Sequence, residues 1–365
     1  MPEIVPLQWT GEVLRILDQT KLPHDQAVTI ARTHEQVVQA IRTMQVRGAP
    51  AIGIAGAYAM VLAVKAVDTT DLRRLFTYLA DVAKEIGNAR PTAVNLHWAV
   101  ERMLNTAFRS RSVAELRANL EAEAVAIHQE DVAGNRRMGA LGADLLPRDG
   151  TVLTHCNAGA LATGGYGTAL GVIRAAWENK KRFRVLVTET RPFLQGARLT
   201  AWELLQMGIP TELIVDSAAG SILARGQVSC VIVGADRIAA NGDVANKIGT
   251  YSLAVLAHEN SVPFYVAAPT NTLDMALPSG DQIPIEERPA EELTQWGDRL
   301  VVPKGVAVRN PAFDVTPHRY VTAIITERGI VRPPYDVELR RLVEAPPTDV
   351  PPVLAAGEVK GAAGA

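Results

Sequence analysis

Two apolar segments, Thr151-Val-Leu-Thr-His-Cys156 and Ser229-Cys-Val-Ile-Val-Gly-Ala-Asp236, decide the fold of this chain. Each is a short run of the kind that a parallel sheet buries on both faces. The first ends in a thiol and the second in a carboxyl group. Because ligands of open α/β sheets bind where the strands end, we predict that Cys156 and Asp236 reach one site and could transfer protons there.

From residue 151 onward, short strand patterns alternate with helical ones. Strands are predicted at residues 152–155, 183–187, 212–215, 231–234 and 264–267, with helical segments starting near residues 166, 193, 217 and 246. Residues 270–309 read as long loops, and residues 320–326 form another apolar segment. This alternation is typical of a Rossmann-like, doubly wound parallel sheet in the α/β class.

The first half of the chain is mostly helical by pattern. A hairpin near residues 9–12 precedes helices that start near residue 33 and cover residues 71–86, 92–107 and 112–142. Capping boxes mark two of these starts, Thr33 with Gln36 and Ser112 with Glu115. We predict a mostly helical N-terminal domain with a small β element at residues 1–145, an α/β domain carrying the site at residues 146–345, and a low-complexity, disordered tail at residues 346–365.

The longest apolar stretch, residues 49–64, contains Pro50, Gly53 and Gly56. It is shorter than the roughly 20 residues that a membrane-spanning helix needs. We therefore predict a buried core helix whose small residues allow a neighbouring backbone to come close.

The composition excludes some classes of function. The 365 residues include 37 Lys and Arg against 39 Asp and Glu, and 48% are hydrophobic. The balance lacks the basic excess that nucleic-acid binding usually needs. The two cysteines do not suggest a disulfide framework, and no signal-peptide pattern opens the sequence. We expect a cytoplasmic protein with neither a nucleic-acid nor a membrane partner.

Glycines after the first strand offer a competing interpretation. Gly165-x-Gly167-x-x-x-Gly171, with Glu189 at the end of the next strand, approximates a dinucleotide-binding fingerprint. The glycines begin several residues beyond the strand, and the spacing is one residue too long. Glycines that let a loop and a helix pack closely are the favoured interpretation.

Three cations at predicted junctions between loops and helices suggest an anionic ligand. Arg47 precedes a glycine, Arg90 precedes a proline, and Asn246-Lys247 is predicted to open a helix, where free amides attract anions. Each could instead be an ordinary solvated side chain. The seven histidines show no metal-ligand spacing.

Cys156 and Asp236 could also be ordinary buried residues without a function. Cys230 lies inside a strand as a small apolar filler, and Cys156 could be the same. Asp236 is harder to dismiss, because an acid after an apolar strand needs partners or a use. His155 is expected to point to the opposite face from Cys156, which argues against a simple Cys/His pair.

Several segments together resemble the methylthioribose-1-phosphate isomerase family, and they cover nearly all of the chain except the tail. They are Arg47-Gly-Ala-Pro-Ala-Ile-Gly53, Ala89-Arg-Pro-Thr-Ala-Val-Asn95, Thr154-His-Cys-Asn-Ala-Gly-Ala-Leu-Ala-Thr163, Glu189-Thr-Arg-Pro-Phe-Leu-Gln-Gly-Ala-Arg-Leu-Thr-Ala-Trp-Glu203, Gly234-Ala-Asp-Arg-Ile238, Asn246-Lys-Ile-Gly-Thr-Tyr251, Pro278-Ser-Gly-Asp281 and Asn310-Pro-Ala-Phe-Asp-Val-Thr-Pro317. The sequence departs from the family at Thr188, where an acid is expected. The regulatory subunits of eukaryotic translation initiation factor 2B and the ribose-1,5-bisphosphate isomerases are related to this family.

The resemblance implies a homodimeric aldose–ketose isomerase of methionine salvage that uses no metal or organic cofactor. It implies that Asp236 is the acid that opens the sugar ring, and that Cys156 is a base or a polar stabiliser during hydrogen transfer. Whether hydrogen moves as a proton or as a hydride stays open. The substrate-binding groups that the resemblance implies are Arg47, Gly48, Ala49, Arg90, Gln195, Asn246 and Lys247.

Overall fold

The computed structural model describes residues 2–90 and 93–345. The strands in this part of the chain are β1 Leu7–Trp9, β2 Leu14–Leu17, β3 Val28–Ala31, β4 Asp149–Thr154, β5 Arg182–Thr188, β6 Thr211–Ile214, β7 Cys230–Val233, β8 Arg237–Ala239, β9 Val244–Lys247, β10 Phe264–Ala267, β11 Leu273–Asp274, β12 Gln295–Trp296, β13 Arg299–Leu300, β14 Phe313–Thr316, β15 Ala323–Thr326 and β16 Gly329–Val331. The α-helices are α1 His34–Arg42, α2 Ala49–Ala66, α3 Leu72–Gly87, α4 Val94–Ala107, α5 Val113–Gly142, α6 Ala169–Glu178, α7 Ala201–Gln206, α8 Ala219–Ala224, α9 Thr250–Glu259, α10 Glu291–Thr294 and α11 Tyr335–Glu344.

The predicted helices of the first half are confirmed, and their starts follow from capping chemistry. The hydroxyl of Thr33 accepts a hydrogen bond from the Gln36 amide at 3.4 Å, and that of Ser112 accepts one from the Glu115 amide at 3.2 Å. These side chains satisfy amide groups that the first helical turn leaves without partners. The predicted hairpin is also present, as β1 paired antiparallel with β2.

Helix α2 is the central element of the helical part. Its composition and length would suit a membrane span, with a mean hydropathy of 1.6, but 78% of it is buried inside the protein. It packs against α1, α4 and α5. A Cβ atom on Gly53 would come within 2.8 Å of the Asn95 carbonyl oxygen on α4, so glycine is required for this close approach. The prediction of a buried core helix is confirmed.

The second half forms a seven-stranded sheet among the described residues, in the order β16-β15-β10-β7-β4-β5-β6. All neighbours pair in parallel except β15 and β16. Numbered along the chain, the six parallel strands follow the order 3-2-1-4-5-6, which is the classic order of doubly wound dinucleotide-binding folds. The order in which strands are added to the sheet reverses between β4 and β7, and a crevice forms at this switch point. The predicted fold class is confirmed.

The hydrophobic cores follow the two halves of the chain. One core uses residues between positions 7 and 127, and two others, on either face of the large sheet, use residues between positions 138 and 339. The proposed domain boundary between residues 145 and 146 stays a prediction. The predicted tail at residues 346–365 lies outside the described residues.

A smaller sheet of order β11-β8-β9-β14 was not predicted. It places Asn246 and Lys247 on β9, paired with Asp314 and Phe313 of β14, so the prediction that these two residues open a helix is wrong. The helix begins at Thr250. The local pattern misleads because the strand that pairs with Asn246 and Lys247, β14, lies more than sixty residues further along the chain. The neighbouring strand β8 pairs only with Val244 and Ala245.

Candidate active site

One cavity lies where β4 and β7 end and where helix α2 begins. Its empty volume is about 1200 Å³ with the open mouth included. All of the predicted site residues line it: Arg47, Gly48, Ala49, Arg90, Cys156, Gln195, Asp236, Asn246 and Lys247. Cys156 and Asp236, which the sequence predicts to lie at the same edge of the sheet, therefore line the same cavity.

Cys156 is held in an uncommon backbone conformation just past β4. Its φ angle is +62°, in the left-handed region that residues other than glycine seldom adopt. Its amide donates to the Thr190 hydroxyl at 2.9 Å, and its carbonyl oxygen accepts from the Thr200 hydroxyl. Burial raises the pKa of the thiol, while Arg47 and Lys247 act in the opposite direction. The fold thus fixes the thiol at the edge of the cavity, where burial favours its neutral form and the two cations favour its thiolate.

Asp236 follows β7 and reaches the same cavity. Its amide donates to the Ala245 carbonyl at 2.9 Å, which ties it to β9. Burial raises the pKa of the Asp236 carboxyl, and Lys247, Arg47 and Arg90 oppose that shift. A carboxyl group with a raised pKa keeps a larger protonated fraction than an exposed one, so it is suited to donate a proton.

Three cationic side chains line the cavity, and each is held by a different kind of contact. Arg47 donates to the side-chain oxygen and to the carbonyl oxygen of Asn157, both at 2.8 Å. Arg90 pairs with Glu286 at 3.2 Å. The Lys247 ammonium group lies 4.8 Å from the centre of the Phe313 ring, and burial lowers its pKa. The cluster gives the cavity a positive rim that suits a phosphate group.

The start of helix α2 adds backbone amides to this rim. The first amides of a helix have no partner within it, and they attract anions. Gly48 precedes the helix with a φ angle of +95°, and a Cβ atom there would lie 2.3 Å from the Ala162 carbonyl oxygen. Only glycine fits this turn, and both Gly48 and Ala49 line the cavity.

We expect Gly48→Ala to disturb both stability and substrate binding. The new methyl group must displace the Ala162 backbone, so the unfolding free energy should fall by at least about 2 kcal/mol and KM should rise. Gly208→Ala is the matched control, since Gly208 also has a positive φ of +69° but has no atom within 4 Å of its Cβ position. It should cost about 1 to 2 kcal/mol and leave KM unchanged. Urea unfolding and steady-state kinetics measure both, and equal effects of the two variants would contradict the steric argument.

Gln195 carries a buried oxygen that lacks a partner. The residue is 4% exposed, and its side-chain oxygen accepts no hydrogen bond in the described part of the chain. Directly after it, Gly196–Thr200 form a π-helical turn, a geometry that is frequent at functional sites. An unsatisfied buried acceptor beside a cavity is suited to a hydroxyl group of a ligand.

The corrected position of Asn246 and Lys247 changes how they can act. The amides of Gly249 and Tyr251, which begin helix α9, donate to the Asp314 carboxylate at 2.7 and 3.0 Å. That helix terminus already holds an anion and is not a phosphate site. Asn246 and Lys247 therefore reach the cavity from β9 through their side chains.

Sequence reasoning did not identify a buried network that supports Arg47. Asn157 also donates to the Glu203 carboxylate at 2.8 Å, and that carboxylate accepts from the amides of Ala160 and Leu161 at 2.7 and 3.3 Å. Burial raises the pKa of Glu203, and these hydrogen bonds oppose the shift. Asn157 and Glu203 both lie within the segments that carry the family resemblance, which was the available signal.

The expected acid at position 188 is replaced by a threonine that serves His155. The Thr188 hydroxyl lies 2.6 Å from His155 Nδ1, and His155 Nε2 lies 2.9 Å from the Ile248 carbonyl oxygen. Because that carbonyl can only accept, Nε2 carries the proton and Nδ1 accepts from Thr188. Burial lowers the pKa of His155, in keeping with a neutral ring. Both ring nitrogens are thus engaged away from the Cys156 thiol.

The glycine cluster packs against protein atoms. A Cβ atom on Gly159 would overlap the Glu203 carboxylate at 2.3 Å, and one on Gly167 would lie 2.6 Å from Gly159 Cα. A Cβ atom on Gly171 would lie 3.0 Å from the Tyr166 ring. These contacts favour close packing as the reason for the glycines. Within residues 2–90 and 93–345, no group of three or more His, Cys, Asp and Glu side chains is arranged to hold a metal ion.

The fold and the cavity together define an α/β protein with a cavity lined by cationic side chains at its sheet switch point. Comparison with known proteins narrows this class. Residues 45–333 match the model of the Initiation factor 2 subunit family. The chain is 56% identical over 345 residues to a methylthioribose-1-phosphate isomerase of Pelotomaculum thermopropionicum, covering 93% of this chain and 94% of the relative.

Solved structures of the same fold come from two differently named proteins. The crystal structure of 5-methylthioribose 1-phosphate isomerase from Pyrococcus horikoshii OT3 is 43% identical with a TM-score of 0.88, covering 94% of this chain and 96% of that one. A structure named translation initiation factor eIF-2B, subunit delta, from A. fulgidus is 46% identical with a TM-score of 0.84, covering 94% and 100%. The chain belongs to the methylthioribose-1-phosphate isomerase family, within the broader Initiation factor 2 subunit family.

Proposed function

We propose that this chain is an aldose–ketose isomerase that converts 5-methylthioribose 1-phosphate to 5-methylthioribulose 1-phosphate in methionine salvage. The observation that supports this most is the shared cavity, which is lined by Asp236 and Cys156 together with three cationic side chains. Relatives at 52 to 56% identity carry the isomerase name.

Ring opening is the first chemical problem. The anomeric oxygen of the substrate is esterified to phosphate, so the ring cannot open as a free hemiacetal does. The ring oxygen must receive a proton as its bond to C1 breaks. Asp236, whose pKa is raised by burial, is the group that we assign to this step.

Hydrogen must then move from C2 to C1. In the proton route a base takes the C2 proton, an enol phosphate forms, and C1 is reprotonated. In the hydride route the C2 hydrogen migrates with its electron pair to the cationic C1, and the C2 hydroxyl loses its proton to give the ketone. Cys156 is the base in the first route and a polar stabiliser of developing charge in the second.

The non-reacting phosphate anchors the substrate. We assign it to Arg47, Arg90 and Lys247 together with the amides of Gly48 and Ala49. Gln195 and Asn246 are assigned to the sugar hydroxyls; the unpaired oxygen of Gln195 supports this role. Fixing the phosphate orients C1 and C2 between the acid and the sulfur. We further propose a cytoplasmic homodimer.

A coupled assay on methylthioribose 1-phosphate and ribose 1,5-bisphosphate tests this function, with faster turnover expected for the first substrate. Turnover of the bisphosphate alone would reject the assignment. Heavy water separates the two routes: deuterium at C1 of the ketose indicates the proton route, whereas its absence is expected for a hydride shift or for a base shielded from solvent.

A regulatory role is the second candidate, because the A. fulgidus structure at 46% identity bears the name of a translation initiation factor subunit. A protein with that role would turn over no sugar phosphate and would associate stably with a different polypeptide. Activity assays and sedimentation of the purified chain with and without candidate partners distinguish the two functions.

Glu203 offers a test of how the phosphate group is held. Its carboxylate accepts three hydrogen bonds, and the amide nitrogen of a glutamine would instead face a donor. Glu203→Gln should therefore release Asn157, loosen Arg47 and raise KM by about tenfold, with a smaller change in kcat. Glu212→Gln, at a largely exposed carboxylate paired with Arg184, is the control and should leave both constants unchanged. An unaltered KM in Glu203→Gln would show that Arg47 does not depend on this network.

A further inference from the structure

A second cavity lies next to the candidate active site, near the start of helix α2. It sits between α2, α4 and α5 and the segments that follow β10 and β15, and its empty volume of about 1090 Å³, open solvent included, is close to that of the first cavity. Pro50 and Pro269 line both cavities. We call it the helical cavity. The proposed reaction uses none of its other lining groups.

Carboxylates form one part of its wall. Asp131 accepts hydrogen bonds from the Gly164 amide at 2.7 Å and from the Asn135 side chain at 2.9 Å. Burial raises the pKa of Asp131 to about 7. Glu327 is held in place by the amide and the hydroxyl of Thr270. These carboxyl groups favour a cationic group over a phosphate in this cavity, since a bound cation stabilises the ionised form of Asp131.

Asn95 gives independent evidence for a hydrogen-bond donor on the ligand. It is 1% exposed, and its amide nitrogen donates to the Asn271 side chain at 3.0 Å. Its side-chain oxygen accepts no hydrogen bond in the described part of the chain, and the residue lines the helical cavity. A buried acceptor left unsatisfied costs about 1 to 3 kcal/mol, which a donor from a ligand would recover. Asn95 also ends one of the segments that carry the family resemblance, yet it does not line the active-site cavity.

The remaining wall supplies an opposite charge and an apolar surface. Arg137 lines the cavity one helical turn from Gly134, near the aliphatic part of Glu327, and makes no hydrogen bond or ion pair within residues 2–90 and 93–345. Ile54, Trp98 and Ile127 line the cavity with apolar atoms. An unpaired guanidinium is suited to bind a carboxylate in a bidentate way.

We propose that the helical cavity binds an α-amino acid with an apolar side chain. Its ammonium group lies against the Asn95 oxygen and the carboxylates of Asp131 and Glu327, its carboxylate pairs with Arg137, and its side chain packs on Trp98. Both charged groups of such a ligand meet a group of opposite charge in the cavity. A simple amine would leave Arg137 without a partner, and a phosphate would face the carboxyl groups of Asp131 and Glu327.

Isothermal titration of the full chain with L-leucine, L-isoleucine, L-methionine and L-phenylalanine tests this proposal. At least one should bind saturably. Isoamylamine and 4-methylpentanoic acid, which are leucine without its carboxylate or its amine, should bind at least about tenfold more weakly than leucine, as should the corresponding analogues of any other amino acid that binds. The proposal is overturned if no amino acid binds up to about 10 mM, or if an amine binds as well as its parent amino acid.

Paired variants on helix α5 locate the site. Arg137→Gln should weaken binding of the amino acid by about tenfold or more, while leaving binding of the amine unchanged. Arg136→Gln, at a neighbouring exposed arginine, should bind the amino acid like the unaltered protein. Both variants should keep sugar-phosphate turnover, which reports correct folding. Equal affinity of the two variants for the amino acid would place it elsewhere and reject the helical cavity as its site.

Discussion

Replacing Asp236 with asparagine is expected to lower kcat by about 10² to 10⁴, the usual contribution of a positioned general acid. Asparagine keeps the shape of the side chain and the hydrogen bond from the residue 236 amide to Ala245, but it cannot deliver a proton to the ring oxygen. Because the acid acts in the transition state, KM should change much less than kcat. Steady-state kinetics with methylthioribose 1-phosphate measure both constants.

Asp149→Asn is the matched control for this experiment. Asp149 is exposed and starts β4, at the end of the strand opposite to the cavity, so its replacement should leave kcat unchanged. Near-normal turnover by Asp236→Asn would remove the proposed ring-opening role. A fall of the same size in both variants would point to damage to the fold instead.

The pH dependence of kcat should also report the role of Asp236 as an acid. The reaction needs Asp236 protonated, and burial raises its pKa above the usual aspartate range. The protonated fraction is therefore complete at pH values below that pKa and falls as the pH rises through it. We expect an alkaline decline of kcat that is absent from the residual activity of Asp236→Asn.

The second large effect is expected at Cys156, where Cys156→Ala should lower kcat by about 10² or more. The alanine methyl group can neither take a proton nor stabilise a developing charge. Cys156→Ser separates the two routes. A serine hydroxyl is a far weaker acid than a thiol, so it stays protonated and cannot accept the C2 proton. It can still donate a hydrogen bond. We expect both variants to be similarly impaired in the proton route, and the serine variant to keep clearly more activity in the hydride route.

Cys230→Ala provides the control within the same protein. Cys230 is buried in strand β7 and does not line the active-site cavity, so its loss should lower stability by about 1 kcal/mol and leave kcat unchanged. Wild-type rates in both Cys156 variants would make Cys156 a core residue like Cys230. Thermal unfolding of each variant separates lost stability from lost chemistry.

The shared location of Cys156 and Asp236 could be predicted because each residue follows the end of a recognisable strand. The runs before Cys156 and Asp236 identify β4 and β7, and parallel strands bring their carboxyl ends to one edge. The glycine cluster shows the limit of such motifs. Its spacing approximates a nucleotide fingerprint, but the structure has Gly159 against Glu203 and Gly171 against Tyr166.

Local sequence features were enough to predict the fold class, the buried character of helix α2 and the common location of Cys156 and Asp236, since hydrophobic periodicity, helix caps and strand ends can be read from short segments. Tertiary structure alone decided that Asn246 and Lys247 lie on a strand, because β14 holds them from a distant part of the chain. It also decided that Asp314 occupies the start of α9, and that Glu203 supports Arg47 through Asn157. Such contacts join residues far apart in sequence, where the periodicity of a short segment carries no information.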